Sequence, residues 1–179
     1  MALKFSVLTL LLFLSLYVSF AHGQCQRSIS EAPAISGLKI GMSSDEVQLL
    51  LGSNTKIKPF KSGTGTIYLS FAEQAPPENL RDIGTLWVRL FENRVYQVEA
   101  FYSDTAKTER IESFLGELST TYQISPAAWQ VKNNYATLDC GEFLIKADVV
   151  LNRHLEVTDK ALKAEFEKKR SEDKAKKKS

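Results

Sequence analysis

Three groups of residues carry side chains that could do chemistry. Asp139-Cys140-Gly141-Glu142 sets two carboxylates on either side of a glycine bend. Acid–base catalysis needs two carboxyls that converge on a substrate from different environments. Across a bend, both can equally point to solvent. A secreted hydrolase-like enzyme using Asp139 and Glu142 is therefore one reading, and nothing else nearby completes such a site. The second group is histidine. His154 is the only histidine beyond the leader described below, so a two-His metal motif is excluded. A lone His opening a strand is more often a surface or capping residue than a catalyst, and no spacing gathers a nucleophile and an orienting group around it. No catalytic residue, cofactor or metal site is expected. Ser62-Gly63-Thr64-Gly65-Thr66 is Gly-rich, but no Gly-Lys-Ser/Thr follows and no helix opens there, so it reads as a connection and not a phosphate cradle.

The third group is Cys25 and Cys140, the only two cysteines. Neither sits in a C-x-x-C, which leaves redox catalysis and zinc without support. In an oxidising compartment such a pair usually bonds, and the bridge would tie the N-terminus of the mature chain to a late strand. Two unpaired thiols are the alternative. One further set concerns binding. Trp87, Arg89 and Phe91 alternate with Leu86, Val88 and Leu90. On a sheet covered on one side, they form an aromatic-and-Arg patch of the kind favoured at interfaces. On a sheet covered on both sides, Trp87 and Phe91 are core.

The compartment follows from the first residues. Lys4 supplies a positive n-region, residues 5–20 are apolar apart from Ser and Thr, and Ala21-His22-Gly23 puts small residues at the −3 and −1 positions of a cleavage site. This is the order of a secretory signal peptide, here residues 1–23. The alternative is an uncleaved anchor, for which the apolar run is near the lower length limit. Localisation is thus expected to be extracytoplasmic, periplasmic or secreted. A membrane attachment would require an uncleaved leader or lipid on Cys25, and Gln24 stands where a lipobox needs a small residue.

Removing residues 1–23 from the 179-residue chain leaves 156, enough for one domain with a real core. The charge divides unevenly. Residues 159–179 hold nine Lys and Arg against five Asp and Glu, whereas residues 24–158 hold thirteen against sixteen. A mildly acidic body is a poor nucleic-acid binder, so no such partner is expected. The basic tail interleaves its acids and lacks a bulky apolar face, which reads as a solvated or frayed helix.

The elements follow from periodicity and punctuation. Ser43 and Glu46 form a capping box, Met42 and Val47 a staple, and Gly52 a stop, predicting a helix over 44–51 with Val47, Leu50 and Leu51 inward. Residues 66–72 alternate as a strand. Residues 85–91 and 95–102 read as a hairpin with a three-residue tip, Glu92-Asn93-Arg94, and Tyr96, Val98 and Ala100 on one face. Ile111, Phe114, Leu115, Leu118 and Tyr122 follow the helical period within a helix predicted from residue 105, capped by Asp104 or Thr105. Trp129 enters a loop or short strand. Strands over 135–140, 142–150 and 154–157 follow, with Leu162 and Phe166 at i, i+4 in the tail. The order α-βββ-α-βββ-α, dominated by hairpins, is an α+β fold: an antiparallel sheet with helices packed on one face. The domain spans 24–158, and its two halves are alike in order, as in a tandem of helix-plus-sheet units.

At residues 38–52 the chain reads L-K-I-G-M-S-S-D-E-V-Q-L-L-L-G. This resembles the opening helix of the SmpA/BamE-type envelope lipoprotein domain, and F-E-N-R-V-Y-Q-V at 91–98 resembles that family's hairpin. The related β-lactamase-inhibitor-like fold pairs the same helix with an antiparallel sheet and occurs in tandem. The likeness covers about residues 38–102, with an insertion between helix and hairpin. It implies a non-enzymatic binding or assembly module whose partner is another envelope or secreted protein. The oligomeric state is left open. Intact-mass analysis of exported protein is expected to give a chain starting at Gln24; retention of residues 1–23, or a lipid on Cys25, would replace the secreted reading with a tethered one.

Overall fold

The computed structural model describes residues 25–52, 64–71, 78–103 and 110–177. The leader and the caps at Asp104 or Thr105 lie outside them. The fold is α+β: among the described residues there are three α-helices and one seven-stranded antiparallel sheet.

Helix α1 (Ser44–Leu51) starts as its sequence dictates. Ser43 accepts from the Glu46 N–H at 3.3 Å, and Glu46 accepts from the Ser43 N–H at 2.7 Å. Gly52 ends it with φ 80° and ψ 166°, so the chain leaves extended and does not curl into a left-handed turn. Val47 and Leu51 are buried, while Leu50 is displaced outward onto Gly37, where an added Cβ would meet it at 3.3 Å. Strands β1 (Gly65–Ser70), β2 (Ile83–Phe91) and β3 (Arg94–Tyr102) form the first meander. Phe91 pairs with Arg94, so the β2–β3 tip is Glu92-Asn93, two residues and not three. Both have positive φ, 49° and 63°, the requirement of a two-residue turn whose twist matches its strands.

Helix α2 (Ile111–Tyr122) begins later than residue 105, because Arg110 is extended at φ −90°, ψ 142°. Gln123, left-handed at φ 52°, closes it ahead of Pro126. Strands β4 (Gln130–Lys132), β5 (Tyr135–Asp139), β6 (Phe143–Asp148) and β7 (His154–Asp159) form the second meander. The short strand after Trp129 is thus real, and the second half has four strands. The sheet order is β1-β2-β3-β7-β6-β5-β4, so the two meanders meet only where β3 pairs with β7.

One sheet face carries Leu86, Val88, Leu90, Val98, Ala100, Phe143, Ile145, Ala147, Leu155 and Val157, in one cluster with the buried sides of α1 and α2. Residues 26–40, the irregular lead-in to α1, close this core with Ala32, Ile35, Leu38 and Ile40, turning tightly where Ile35 and Leu38 exchange two backbone hydrogen bonds of 2.9 Å. Tyr96 leaves the face predicted for it. Arg89 pairs with Gln97 and Leu90 with Val95, so Tyr96 is the extra residue of a bulge and joins Phe91. There α3 (Lys160–Lys176), capped by Asp159, lays Leu162 and Phe166 over both rings.

Cys25 and Cys140 are disulfide-bonded across 115 positions. Beside the bridge Arg27 pairs with Gly141, and its guanidinium donates to the carbonyls of Tyr122 and Gln123 at 3.4 and 2.8 Å. Closing so long a loop contributes about 4–5 kcal/mol in the chain-entropy picture. The double variant Cys25→Ser/Cys140→Ser is expected to lose about that much in urea unfolding; a loss near zero would show that the lead-in holds without its covalent tie.

Candidate functional site on the central strands

Register assembles a site from four strands. On the face away from the core, one row across the sheet reads Tyr68, Trp87, Glu99, Glu156, Lys146, Thr137. The next reads Phe101, His154, Asp148. Each polar residue alternates with a core residue along its strand, so the pleat alone sends them all to one side.

Two carboxylates, Glu99 and Glu156, therefore stand directly opposite each other at the middle of the sheet. Their residues are only 6% and 8% exposed. Like charges facing across strands are destabilising, and burial adds to the penalty. The neighbours offset it. Arg89 Nη2 reaches Glu99 Oε1 at 3.0 Å, while its Nη1 donates to Gln97 at 3.2 Å. Lys146 Nζ donates to Glu156 Oε1 at 3.2 Å, and the Thr158 hydroxyl donates to the same oxygen at 2.9 Å. The two glutamates differ in consequence. Burial dominates at Glu99 and pushes its carboxyl above the ordinary range, with Arg89 opposing and Glu156 reinforcing. Burial also acts to raise Glu156, but the Thr158 hydroxyl and the Lys146 ammonium outweigh it and hold that carboxyl low. Environments that drive two neighbouring carboxyls apart occur at functional sites and in structural ion-pair networks alike.

His154 completes the cluster. Its Nδ1 lies 2.8 Å from Asp148 Oδ2, which fixes the ring with Nδ1–H donating to the carboxylate. Phe101 stacks on the ring at 4.4 Å between centroids. The other nitrogen, Nε2, is buried without a hydrogen-bond partner and faces Glu99 Oε2 at 4.0 Å. Trp87 Nε1 is likewise buried and unpartnered. Trp87 packs edge-on to Tyr68, and the Arg89 guanidinium lies 5.3 Å from its ring centre.

The residues singled out from sequence are distributed differently. Arg89 and Trp87 belong to this site. Phe91 is 3% exposed beneath Phe166 and faces helix α3. Asp139 and Glu142 are both exposed and held by the scaffold. Asp139 takes the Lys160 ammonium at 2.9 and 3.0 Å and the Gly141 N–H at 2.9 Å, contacts that hold its carboxyl below the ordinary range. Glu142 accepts the Ile29 N–H at 2.6 Å. Lys146 and Asp148 read from sequence only as polar residues on the outer face of their strand, and Glu99 and Glu156 carry no motif. Their signal was period-two polar placement in otherwise apolar strands: Lys146-Ala147-Asp148, His154-Leu155-Glu156 and the lone Glu99 between Val98 and Ala100.

No protein-family model, curated protein or solved structure matches the chain.

A raised carboxyl pKa makes folding favour the proton, so Glu99's contribution is fully present below the ordinary glutamate value. It is lost as pH rises through the higher folded value. Glu156 acts in the opposite sense and at lower pH. Glu99→Gln is expected to flatten the decline in stability above the ordinary carboxyl range; an unchanged slope in urea midpoints across that range would show that Glu99 is not the group responsible.

Proposed function

We propose that this protein is a non-catalytic extracytoplasmic binding module that docks another envelope or secreted protein through the sheet face around Trp87 and Tyr68. The observation that carries the reading is the Tyr68 ring, 60% exposed and packed edge-on against Trp87, with the Arg89 guanidinium beside the indole. Aromatic rings beside an arginine are the side chains that dominate protein interfaces. The remaining chemistry accords with binding. Neither nitrogen of His154 hydrogen-bonds a hydroxyl, since one meets Asp148 and the other has no partner. Both cysteines are consumed in the disulfide. That bridge suits an oxidising compartment, and no helix among the described residues is long and apolar enough to cross a membrane. The resemblance of residues 38–102 to an envelope assembly domain supports the same reading.

Trp87→Leu removes the indole beneath Tyr68 and Arg89; Tyr68→Ala removes the exposed ring. Each is expected to reduce capture of the native partner from envelope or medium by about tenfold, the scale of one interface hot spot, with circular dichroism unchanged. Equal capture by wild type and both variants would move the interface elsewhere.

A further inference from the structure

We propose that Glu99, His154 and Glu156 form a binding site for a single divalent transition-metal ion of the zinc class, with Asp148 as the group that orients the histidine. This inference goes beyond the partner-docking reading and does not depend on it.

The argument starts from the tautomer. In the neutral ring the 2.8 Å contact to Asp148 takes the Nδ1 proton, and Nε2 then carries the lone pair. That lone pair is buried and aimed at a carboxylate oxygen, Glu99 Oε2, 4.0 Å away. Two acceptors facing each other repel unless something positive lies between them. A proton does not bridge this span, because a hydrogen bond needs about 2.7–3.2 Å between heavy atoms. A metal does. Zinc bonds of about 2.0–2.2 Å at the tetrahedral angle hold two ligand atoms about 3.4 Å apart, so a closure of a few tenths of an ångström from the observed 4.0 Å seats an ion between nitrogen and oxygen.

The third ligand is already present. One ligand atom each from Glu99, His154 and Glu156 lie within 4.8 Å of one another, so small side-chain rotations bring all three onto one ion. The cations of the network each hold one oxygen of a carboxylate. Arg89 takes Oε1 of Glu99, and Lys146 and Thr158 both take Oε1 of Glu156. A carboxylate held by one oxygen can ligate through the other. Asp148 supplies the partner that metal-bound histidines almost always have on their second nitrogen, and Phe101 fixes the ring plane. Three protein ligands of nitrogen and oxygen type suit zinc, with a fourth position left for water or for a group from a partner.

The charges decide how tight the site is. Two ligating carboxylates match the ion's double charge, while the Arg89 and Lys146 cations lower its affinity. Removing Lys146 must therefore strengthen binding, whereas removing a ligand must abolish it. A purely structural ion-pair network makes the opposite prediction for Lys146, which would only destabilise.

The test uses the full-length, untagged mature chain with its disulfide intact. Cobalt(II) gives a visible absorption spectrum when bound by such ligands, and zinc binding is read by calorimetry and by the rise in melting temperature. The expected result is one ion per chain, a cobalt spectrum displaced by zinc, and a zinc-dependent rise in melting temperature. His154→Gln and Glu156→Gln are expected to lose all three. Asp148→Asn is expected to weaken binding by about tenfold or more through the histidine it orients. Lys146→Met is expected to tighten it. Far-ultraviolet circular dichroism of each variant without metal confirms that it is folded. Absence of a cobalt spectrum and of any zinc-dependent stabilisation in the wild type overturns the proposal. So does zinc binding that survives in a folded His154→Gln variant, since the ion would then sit elsewhere.

Discussion

The pairing of β3 with β7 is the junction on which this molecule depends. Each meander is closed by its own hairpin turns, but only this ladder joins them into one sheet. The core-facing side of the seam is conventional: Val98 and Ala100 meet Val157 and Leu155, all buried. The other side places Glu99 opposite Glu156, an arrangement that opposes the very pairing that holds the halves together. A sequence selected for stability alone would put apolar or oppositely charged residues there. Two carboxylates stay at the mechanical centre of the sheet only because Arg89, Lys146 and Thr158 on the flanks offset their repulsion.

Those flanking residues come from the outer strands. Arg89 belongs to β2 and Lys146 to β6, so each carboxylate is neutralised from its own side of the seam. The network thereby couples four strands through side chains as well as through backbone. It also separates the roles of the two carboxylate oxygens. Oε1 of each is committed to its cation, and Oε2 of Glu99 faces the histidine.

The closure of the core is a separate problem with a separate solution. The lead-in runs across the apolar face and has little regular structure of its own, so it depends on fixed ends. At one end the disulfide and Arg27 anchor it to the β5–β6 bend and to the end of α2. At the other, Gly41 N–H donates to Val95 at 2.7 Å and Val95 N–H donates to Met42 at 2.8 Å, passing the chain into α1 at the β2–β3 tip. Asp139 and Glu142, which as a sequence pattern invited a catalytic reading, serve this anchoring. Their exposure leaves them with ordinary surface chemistry, salt-linking Lys160 and receiving Ile29.

The elements whose causes are local were legible in the chain itself. The capping box of Ser43 and Glu46, the apolar stripe of Ile111, Phe114, Leu115 and Leu118, and the alternation through Phe143, Ile145 and Ala147 each act within a turn or a strand. They fixed the α+β class and most of the core. Local cues failed where one residue changes a phase. The extra residue at Tyr96 shifts half of β3 and sends an expected core ring beneath α3, and Arg110 stays extended where the apolar period alone would have allowed helix. The site was beyond reach for a stronger reason. Glu99 and Glu156 are 57 positions apart, and only the antiparallel register sets them face to face. Side-chain type and spacing determine what a strand can present on each face. Which strands lie side by side is decided by the packing of two whole meanders, and with it which charges must share one small volume.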